Sequence, residues 1–318
     1  MSAENSGQGM KILVTGSSGL VGTALLAAIR SAGHQAIPLI RRTDAPAGAA
    51  SWDPLADRMD SRIFAGIDAV IHLAGENLSH GRWTAAKKLR IAASRIQSTN
   101  LLAQTISQLQ TRPRIFLCAS AIGYYGNRGD EILSEDSPQG HGFIADLCEQ
   151  WEQACAPAVA AGVRVAQLRL GVVLSTDGGA LPQMLTPFRL GLGGVIGNGR
   201  QYVSWITLDD LIAAMLHLLD RSQLAGPVNL VAPQPVTNRQ LTKSLGRALH
   251  RPTLLPLPAF AARLALGEIA DELLLASTRV IPRRLLEDGF AFQYPDLDGA
   301  LSHLLKRDQP VATSPGAT

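Results

Sequence analysis

The chain has 318 residues, 46% hydrophobic and 17% charged, with a formal net charge of +3 and basic residues scattered along its length. That length can bury a substantial core, and without a basic stripe no nucleic-acid partner is expected. Three cysteines (Cys118, Cys148, Cys155) without CxxC spacing fit a reducing compartment, and seven dispersed histidines offer no HxxxH or HExxH metal spacing.

Residues 1–9 are polar and lack the apolar stretch of a signal peptide. No apolar run approaches the ~20 residues that cross a bilayer, so the expectation is a cytoplasmic protein with no membrane partner. Both this start and residues 308–318, rich in Ser, Gly, Pro and Ala, read as disordered tails.

The first element is the apolar run 11–15 (KILVT), ending in glycine as a buried parallel strand does. Residues 20–32 read as a helix with Leu20, Ala24, Leu25, Ala28 and Ile29 on one face, stopped by Gly33. Strands are expected at 36–40, 69–73, 115–119 and 163–170, with helices at 84–109 and 143–161. Strand and helix alternating in this way specify an α/β doubly wound parallel sheet. The segment 175–204, with its run GLGGVIGNGRQ, reads as loop. Beyond it come a helix at 207–220, a short strand at 228–230 and a helix at 238–250. From Pro252 the pattern is mostly helical. The implied domains are 10–230, with the loop 175–205 contributing to a substrate pocket, and a smaller, mainly helical lobe at 231–307.

Between the first strand and the first helix the sequence is T-G-S-S-G-L-V-G. Gly16 permits a tight turn, Gly19 lets backbone N–H groups approach a pyrophosphate, and Gly22 lets the helix pack close to the strand. Ser17, Ser18, Leu20 and Val21 complete the loop, and an anion would sit at the helix N-terminus. A purely structural glycine turn is the alternative. At the end of the second strand an NAD site carries Asp or Glu for the ribose hydroxyls. This chain has Arg41 and Arg42, with Asp44 the nearest acid. A guanidinium pairs with a 2′-phosphate and stacks on adenine, which points to NADP(H). The competing reading is a solvated basic pair.

The G-x-x-G-x-x-G spacing, A-V-I-H-L-A-G at 69–75 and the strand-end Ser120 resemble the extended short-chain dehydrogenase/reductases. The segments H-L-A-G-E-N (72–77), S-A-I-G-Y-Y-G (120–126), P-F-R-L-G-L-G-G-V-I-G-N-G-R-Q (187–201) and V-I-P-R-R-L (280–285) are similar to those of an atypical branch. That branch is the NAD-dependent epimerase/dehydratase-like "epimerase family" with an additional C-terminal region. The resemblance implies a Rossmann-like fold and cofactor contacts at the glycine loop, Arg41, Leu73, Ala74, Gly75, Arg95 and Val173. For Arg95, an exposed helix charge is the other reading.

The superfamily's active site pairs Ser or Thr with Tyr-x-x-x-Lys. Ser120 fits the serine, but Phe143 and Leu147 stand where tyrosine and lysine belong, and neither can exchange a proton. With Trp151 they form an i, i+4, i+8 apolar stripe. Tyr124 and Tyr125 are the candidate replacement acids, or else an aromatic wall. Glu76 and Asp146 are weaker candidates, Lys87 and Lys88 read as a solvated face, and T-L-D-D at 207–210 reads as a helix cap. Arg200 lies in a glycine-rich loop whose counterpart in extended relatives faces an anionic substrate. The expectation is an NADP(H)-binding oxidoreductase or epimerase-like protein acting on a carbonyl or sugar-like substrate, as a monomer or homodimer. A non-catalytic NADP(H)-holding sensor is the alternative.

Overall fold

The computed structural model describes residues 9–42, 46–78, 81–220 and 222–307. Asp44 and nearly all of both expected tails lie outside these residues. In chain order the strands are β1 (Lys11–Thr15), β2 (Gln35–Ile40), β3 (Ala50–Asp53), β4 (Arg58–Met59), β5 (Ala69–His72), β6 (Ile115–Ala121) and β7 (Ile132–Leu133). They continue with β8 (Arg164–Leu170), β9 (Val172–Leu174), β10 (Tyr202–Val203), β11 (Trp205–Thr207), β12 (Gly226–Leu230), β13 (Val236–Thr237) and β14 (Arg279–Val280). The helices are α1 (Leu20–Ser31), α2 (Ala85–Gln108), α3 (Phe143–Gln153), α4 (Ala156–Ala160) and α5 (Ala180–Arg189). After these come α6 (Leu208–Asp220), α7 (Asn238–Leu249), α8 (Ala259–Leu266), α9 (Arg283–Glu287) and α10 (Leu297–Arg307).

The main sheet runs β12-β8-β6-β5-β1-β2-β3-β4. It is parallel except at its edge, where β3 and β4 form an antiparallel pair that the parallel expectation did not contain. Side chains alternate across it as a pleated strand requires. Ile12 and Val14 face α1 and α6 through Leu25, Ile29, Leu211 and Met215. Leu13 faces the opposite layer with Leu102, Ile106 and Ala158 of α2 and α4. Each such buried side chain contributes about 1.5–3 kcal/mol, so both faces hold the sheet. No helix among the described residues is long and apolar enough to cross a membrane.

Two expected elements differ. The single helix at 143–161 is broken at Ala154–Cys155 into α3 and α4, because Pro157 at the start of α4 has no N–H to continue the ladder. The segment expected as loop contains α5, whose Leu181, Leu185 and Phe188 form a buried stripe beneath glycine-rich flanks. The cap at 207–210 is present: the Asp210 N–H donates to Thr207 Oγ1 at 3.1 Å. The Asp210 carboxylate is buried and accepts from the backbone N–H groups of Gln293 and Tyr294. A smaller core joins α5, α7 and α10 around Trp205.

From β1 the chain moves outward through β2, β3 and β4, then returns to place β5 on the other side of β1. The direction of winding reverses there, and such reversals open a crevice at the carboxyl ends of the strands. A buried polar chain ties the two strand ends. The Thr15 hydroxyl oxygen accepts from the N–H groups of Leu73 and Ala74 at 3.1 and 3.2 Å. Its proton is therefore directed at His72 Nδ1, 2.6 Å away. His72 must carry its own proton on Nε2, which faces Ser98 Oγ at 3.1 Å, and Ser98 donates onward to the Ser94 carbonyl.

Burial, and then the charge of Arg95, hold His72 down at about 3 from an ordinary 6.5. A base depressed in the fold stabilises fully above its unfolded pKa, and that share is lost as pH falls from about 6.5 toward 3. His72→Gln removes this titration. The gap in urea midpoint between wild type and variant should therefore narrow steadily between pH 7 and pH 4. A gap that does not change with pH would refute the assignment.

Candidate functional site

The loop after β1 approaches the loop after β5 so closely that side chains are excluded. Gly16 has φ +67°, and a Cβ there would lie 2.7–2.9 Å from the backbone of Leu73 and Ala74. A Cβ on Gly22 would lie 2.2 Å from the Gly16 carbonyl oxygen. Gly19 is different: its Cβ would meet only that oxygen, at 3.4 Å, so its face is open. Gly19 is also the N-cap of α1 and supplies no capping side chain. The first N–H groups of that helix thus point into the crevice, an arrangement that favours an anion.

Gly16, Ser17, Ser18 and Gly19 line a cavity of about 240 Å³ with Arg41, Trp52, Leu73, Ala74 and Gly75. Arg41 is exposed and immediately follows β2. Arg42 follows it, exposed, and its carbonyl accepts from the Ser51 hydroxyl. Leu20 and Val21 pack at the start of α1 against the same cluster as Val173 of β9. Trp52 is a wall residue that sequence reasoning missed, since β3 carries only a four-residue pattern.

Arg95 is buried rather than exposed on its helix. Its guanidinium lies beneath Gly75, where a Cβ would be 3.1–3.3 Å from its atoms, and it donates to the Glu76 carbonyl at 2.9 Å. The Trp151 ring covers it at 5.1 Å, and burial lowers it to about 10, so it stays charged. Lys87 is also buried, contrary to the expected solvated face, with Nζ on Glu76 at 2.5 Å. This contact and Arg90 hold the Glu76 carboxyl below its ordinary value. Glu76 is thus committed to holding the loop. Lys88 stacks on Phe143 and pairs with Glu268, while Asp146 is exposed and accepts from Gln139.

Ser120 and Arg169 are register partners on β6 and β8. The Ser120 hydroxyl donates to Glu152 at 2.7 Å, and Arg169 makes two parallel bonds to the same carboxylate at 2.8 Å each. Arg169 also donates to Tyr125 Oη at 2.9 Å, and Tyr125 donates to Asn229 Oδ1 at 2.7 Å. Tyr125 is fully buried, and burial raises it to about 12. Both bonding directions of its hydroxyl are used inside the core, so it does not face the crevice as a candidate acid must. Tyr124 is half-buried, with the Arg169 guanidinium 3.5 Å from its ring centre. Burial raises the Tyr124 phenol and Arg169 opposes the rise. Burial works against the Arg169 charge as well, but the bonds to Glu152 outweigh it and raise Arg169 above its ordinary value. Arg169 and Glu152 were given no role by sequence reasoning, because no catalytic spacing singles them out. Arg169 lies within β8 and Glu152 on α3, so only the folded chain brings them together.

Phe143 packs edge-on to Trp83 at 5.4 Å, and Leu147 is buried. The N–H groups of Phe143 and Ile144 are capped from the later part of the chain by Glu272, each at 3.3 Å. Arg200 stands apart. It is exposed and lines a cavity of about 500 Å³ with Asn127, Asn198, Gln201, Arg263 and Ser277.

Residues 12–230 match the NAD dependent epimerase/dehydratase family, and residues 257–304 match a domain of unknown function, DUF1731. An epimerase family protein of Mycobacterium leprae is 43% identical over 296 residues, covering 93% of this chain and 96% of that protein. The crystal structure of human epimerase family protein SDR39U1 (isoform 2) with NADPH superposes with a TM-score of 0.86 at 34% identity, covering 93% of this chain and 99% of that one. A nucleoside-diphosphate sugar epimerase from Corynebacterium glutamicum gives 0.80 at 38% identity, covering 96% of this chain and 60% of that one.

The Arg169–Glu152 pair is nearly dry, with side-chain exposures of 3% and 11%. Removing one partner leaves the other charge buried and unpaired, at a cost of about 3–5 kcal/mol. Glu152→Gln should lower stability by that amount in urea denaturation. Adding Arg169→Met to it should recover part of the loss; a double variant at least as unstable as Glu152→Gln would show that the charges are not the source.

Proposed function

We propose that this chain, which belongs to the NAD dependent epimerase/dehydratase family, binds NADP(H) in the crevice between β1 and β5 and exchanges hydride with a carbonyl or sugar-like substrate. One observation carries the reading: the glycine cradle at the reversal of the sheet, where Gly16 and Gly22 exclude any Cβ and Gly19 leaves the helix N-terminus open. The donor set fits a dinucleotide phosphate, with backbone N–H groups for the pyrophosphate and Arg41 at the β2 terminus for a 2′-phosphate. The human relative crystallised with NADPH supports the same choice.

When bound, the cofactor supplies or accepts the hydride. The protein must then place one proton on the substrate oxygen, and Tyr124 is the group for it. Its half-buried phenol is held above the ordinary value, by burial first, and so carries its proton at neutral pH. As the proton leaves, the Arg169 charge stacked on the ring offsets the developing phenolate. Ser120 and Glu152 keep that guanidinium in place. Solvent reprotonates the half-buried phenol. Arg200, with the amides around its own cavity, would hold an anionic part of the substrate.

A second reading keeps the cofactor without turnover: a sensor that binds NADP(H) and signals through its helical lobe. It is favoured by Phe143 and Leu147, apolar where the superfamily places its proton-transfer pair. Turnover of NADPH against a panel of carbonyls and nucleotide sugars separates the two. Tyr124→Phe should abolish any measured rate and Ser120→Ala should lower it, both with NADPH affinity retained. No rate on any substrate, together with cofactor-dependent partner binding, would select the sensor.

The nucleotide preference has its own test. Arg41→Glu should weaken NADPH binding by at least about tenfold, the scale of a lost charge-assisted contact, and leave NADH affinity nearly unchanged. Equal weakening for both would remove Arg41 from the 2′-phosphate.

A further inference from the structure

The chain has four tryptophans, and three of them donate their indole N–H inside the protein. Trp83 donates to the Leu78 carbonyl at 2.9 Å, Trp151 to Thr99 Oγ1 at 2.9 Å and Trp205 to the Gln234 carbonyl at 3.2 Å. Trp52 differs. It is only 4% exposed, yet its N–H meets no acceptor among the described residues. A buried indole ordinarily finds a partner, because an unmade bond costs the desolvation of the donor. Nor is this nitrogen sealed in the core. Among the described residues, the fully enclosed side-chain nitrogens and oxygens without a partner are Glu135 Oε2, Gln167 Oε1 and Arg283 Nε. Trp52 Nε1 therefore keeps an opening, and the space that Trp52 lines is the cavity of the glycine loop.

The fold fixes the indole in that wall. β3 pairs with the end of β2, Leu39 opposite Ala50 and Ile40 opposite Ser51, so Trp52 stands beside the strand that Arg41 follows. His72 meets its ring edge-on at 6.0 Å, and Leu39, Phe64 and Val70 share its core cluster. The parts of a dinucleotide can then be told apart by what each needs. The pyrophosphate belongs at the first N–H groups of α1, and a 2′-phosphate at exposed Arg41, where water still reaches it. Leu39, Ile40, Leu73 and Ala74, which line the cavity with Trp52, suit a flat heteroaromatic ring and would desolvate a phosphate. Adenine presents ring nitrogens that accept, and an indole N–H can only donate.

We propose that Trp52 is the residue that recognises the base: its ring forms one wall of the adenine slot, and its N–H donates to an adenine ring nitrogen. The inference rests on the cofactor reading above and adds to it the side chain that holds the base. It also gives the unpaired donor a partner, which nothing within the described chain supplies.

The probe is adenosine 2′,5′-bisphosphate, which carries the adenosine end of NADP(H) without the nicotinamide. It is titrated into the full isotope-labelled chain while the indole N–H signals are followed by NMR. Trp→Phe variants at 83, 151 and 205 assign those three signals, and the remaining one is Trp52. On saturation the Trp52 signal should shift and its exchange with solvent should slow by at least about tenfold. The other three N–H groups are already bonded, and their exchange should not change. Trp52→Phe keeps an aromatic wall and removes the donor. It should weaken NADPH and NADH alike by at least about fivefold, whereas Arg41→Glu separates the two. The titration of the wild type decides the matter even where Trp52→Phe fails to fold. An unmoved Trp52 signal in protein saturated with the probe overturns the proposal and leaves the cofactor reading standing. So does a loss in Trp52→Phe confined to NADPH, which would place the N–H on the 2′-phosphate. A wild type that binds neither NADPH nor the probe removes the cofactor reading and this inference together.

Discussion

The close approach of two backbones, Gly16 against Leu73 and Ala74, sets the terms for the rest of the molecule. It brings the ends of β1 and β5 together where the sheet reverses its winding. The Thr15 hydroxyl can therefore bridge both strands, and the histidine beside it is locked in one neutral tautomer. It also aims the start of α1 into the crevice with its N–H groups uncapped. A side chain at Gly16 would push the strand ends apart and break all of these relations at once. Arg95 completes the wall from the other side, filling the space below Gly75 that a larger residue would need.

A different polar unit stands at the next strand ends. Ser120, Glu152, Arg169, Tyr125 and Asn229 form one connected set in which each strong donor has an acceptor. Such sets cost much if broken and specify geometry when complete. It reaches outward to the half-buried ring of Tyr124, against which the guanidinium is held. Arg169 stays charged because Glu152 compensates its burial. The charge beside Tyr124 is therefore set by a pair on β8 and α3.

The parallel sheet, the glycine cradle and Arg41 at the end of β2 were legible in the sequence. Each is encoded locally, by an apolar run, by glycine spacing or by distance along one βαβ unit. What was not legible depends on contacts between distant segments. Lys87 reads as a surface residue until Glu76 is folded against it, and Arg95 until Gly75 and Trp151 enclose it. Tyr124 and Tyr125 are adjacent and identical in type. Only the tertiary structure separates a half-buried phenol from one whose hydroxyl is bonded to Asn229, a residue 104 positions away. Helix α5 was hidden for another reason. Its apolar period is intact, but the glycines on both sides outweigh a ten-residue signal.

The later part of the chain is joined to the sheet through helix ends, and this bears on how it could act. Asp210, at the start of α6, accepts from two backbone N–H groups at 293 and 294, while Glu272 supplies the cap that α3 lacks. The first contact is buried and backbone-directed, so it anchors. The second is longer, at 3.3 Å to each N–H, and sits beside the exchangeable pairs Lys88–Glu268 and Arg263–Asp271. One end of the lobe is therefore fixed, and the other is held by surface charge pairs of the kind that contribute little each. That second end includes α8, which carries the exposed leucines and phenylalanine, and Arg263, which lines the Arg200 cavity. The anchored end joins the lobe to the start of α6, which packs with α1 on one face of the sheet.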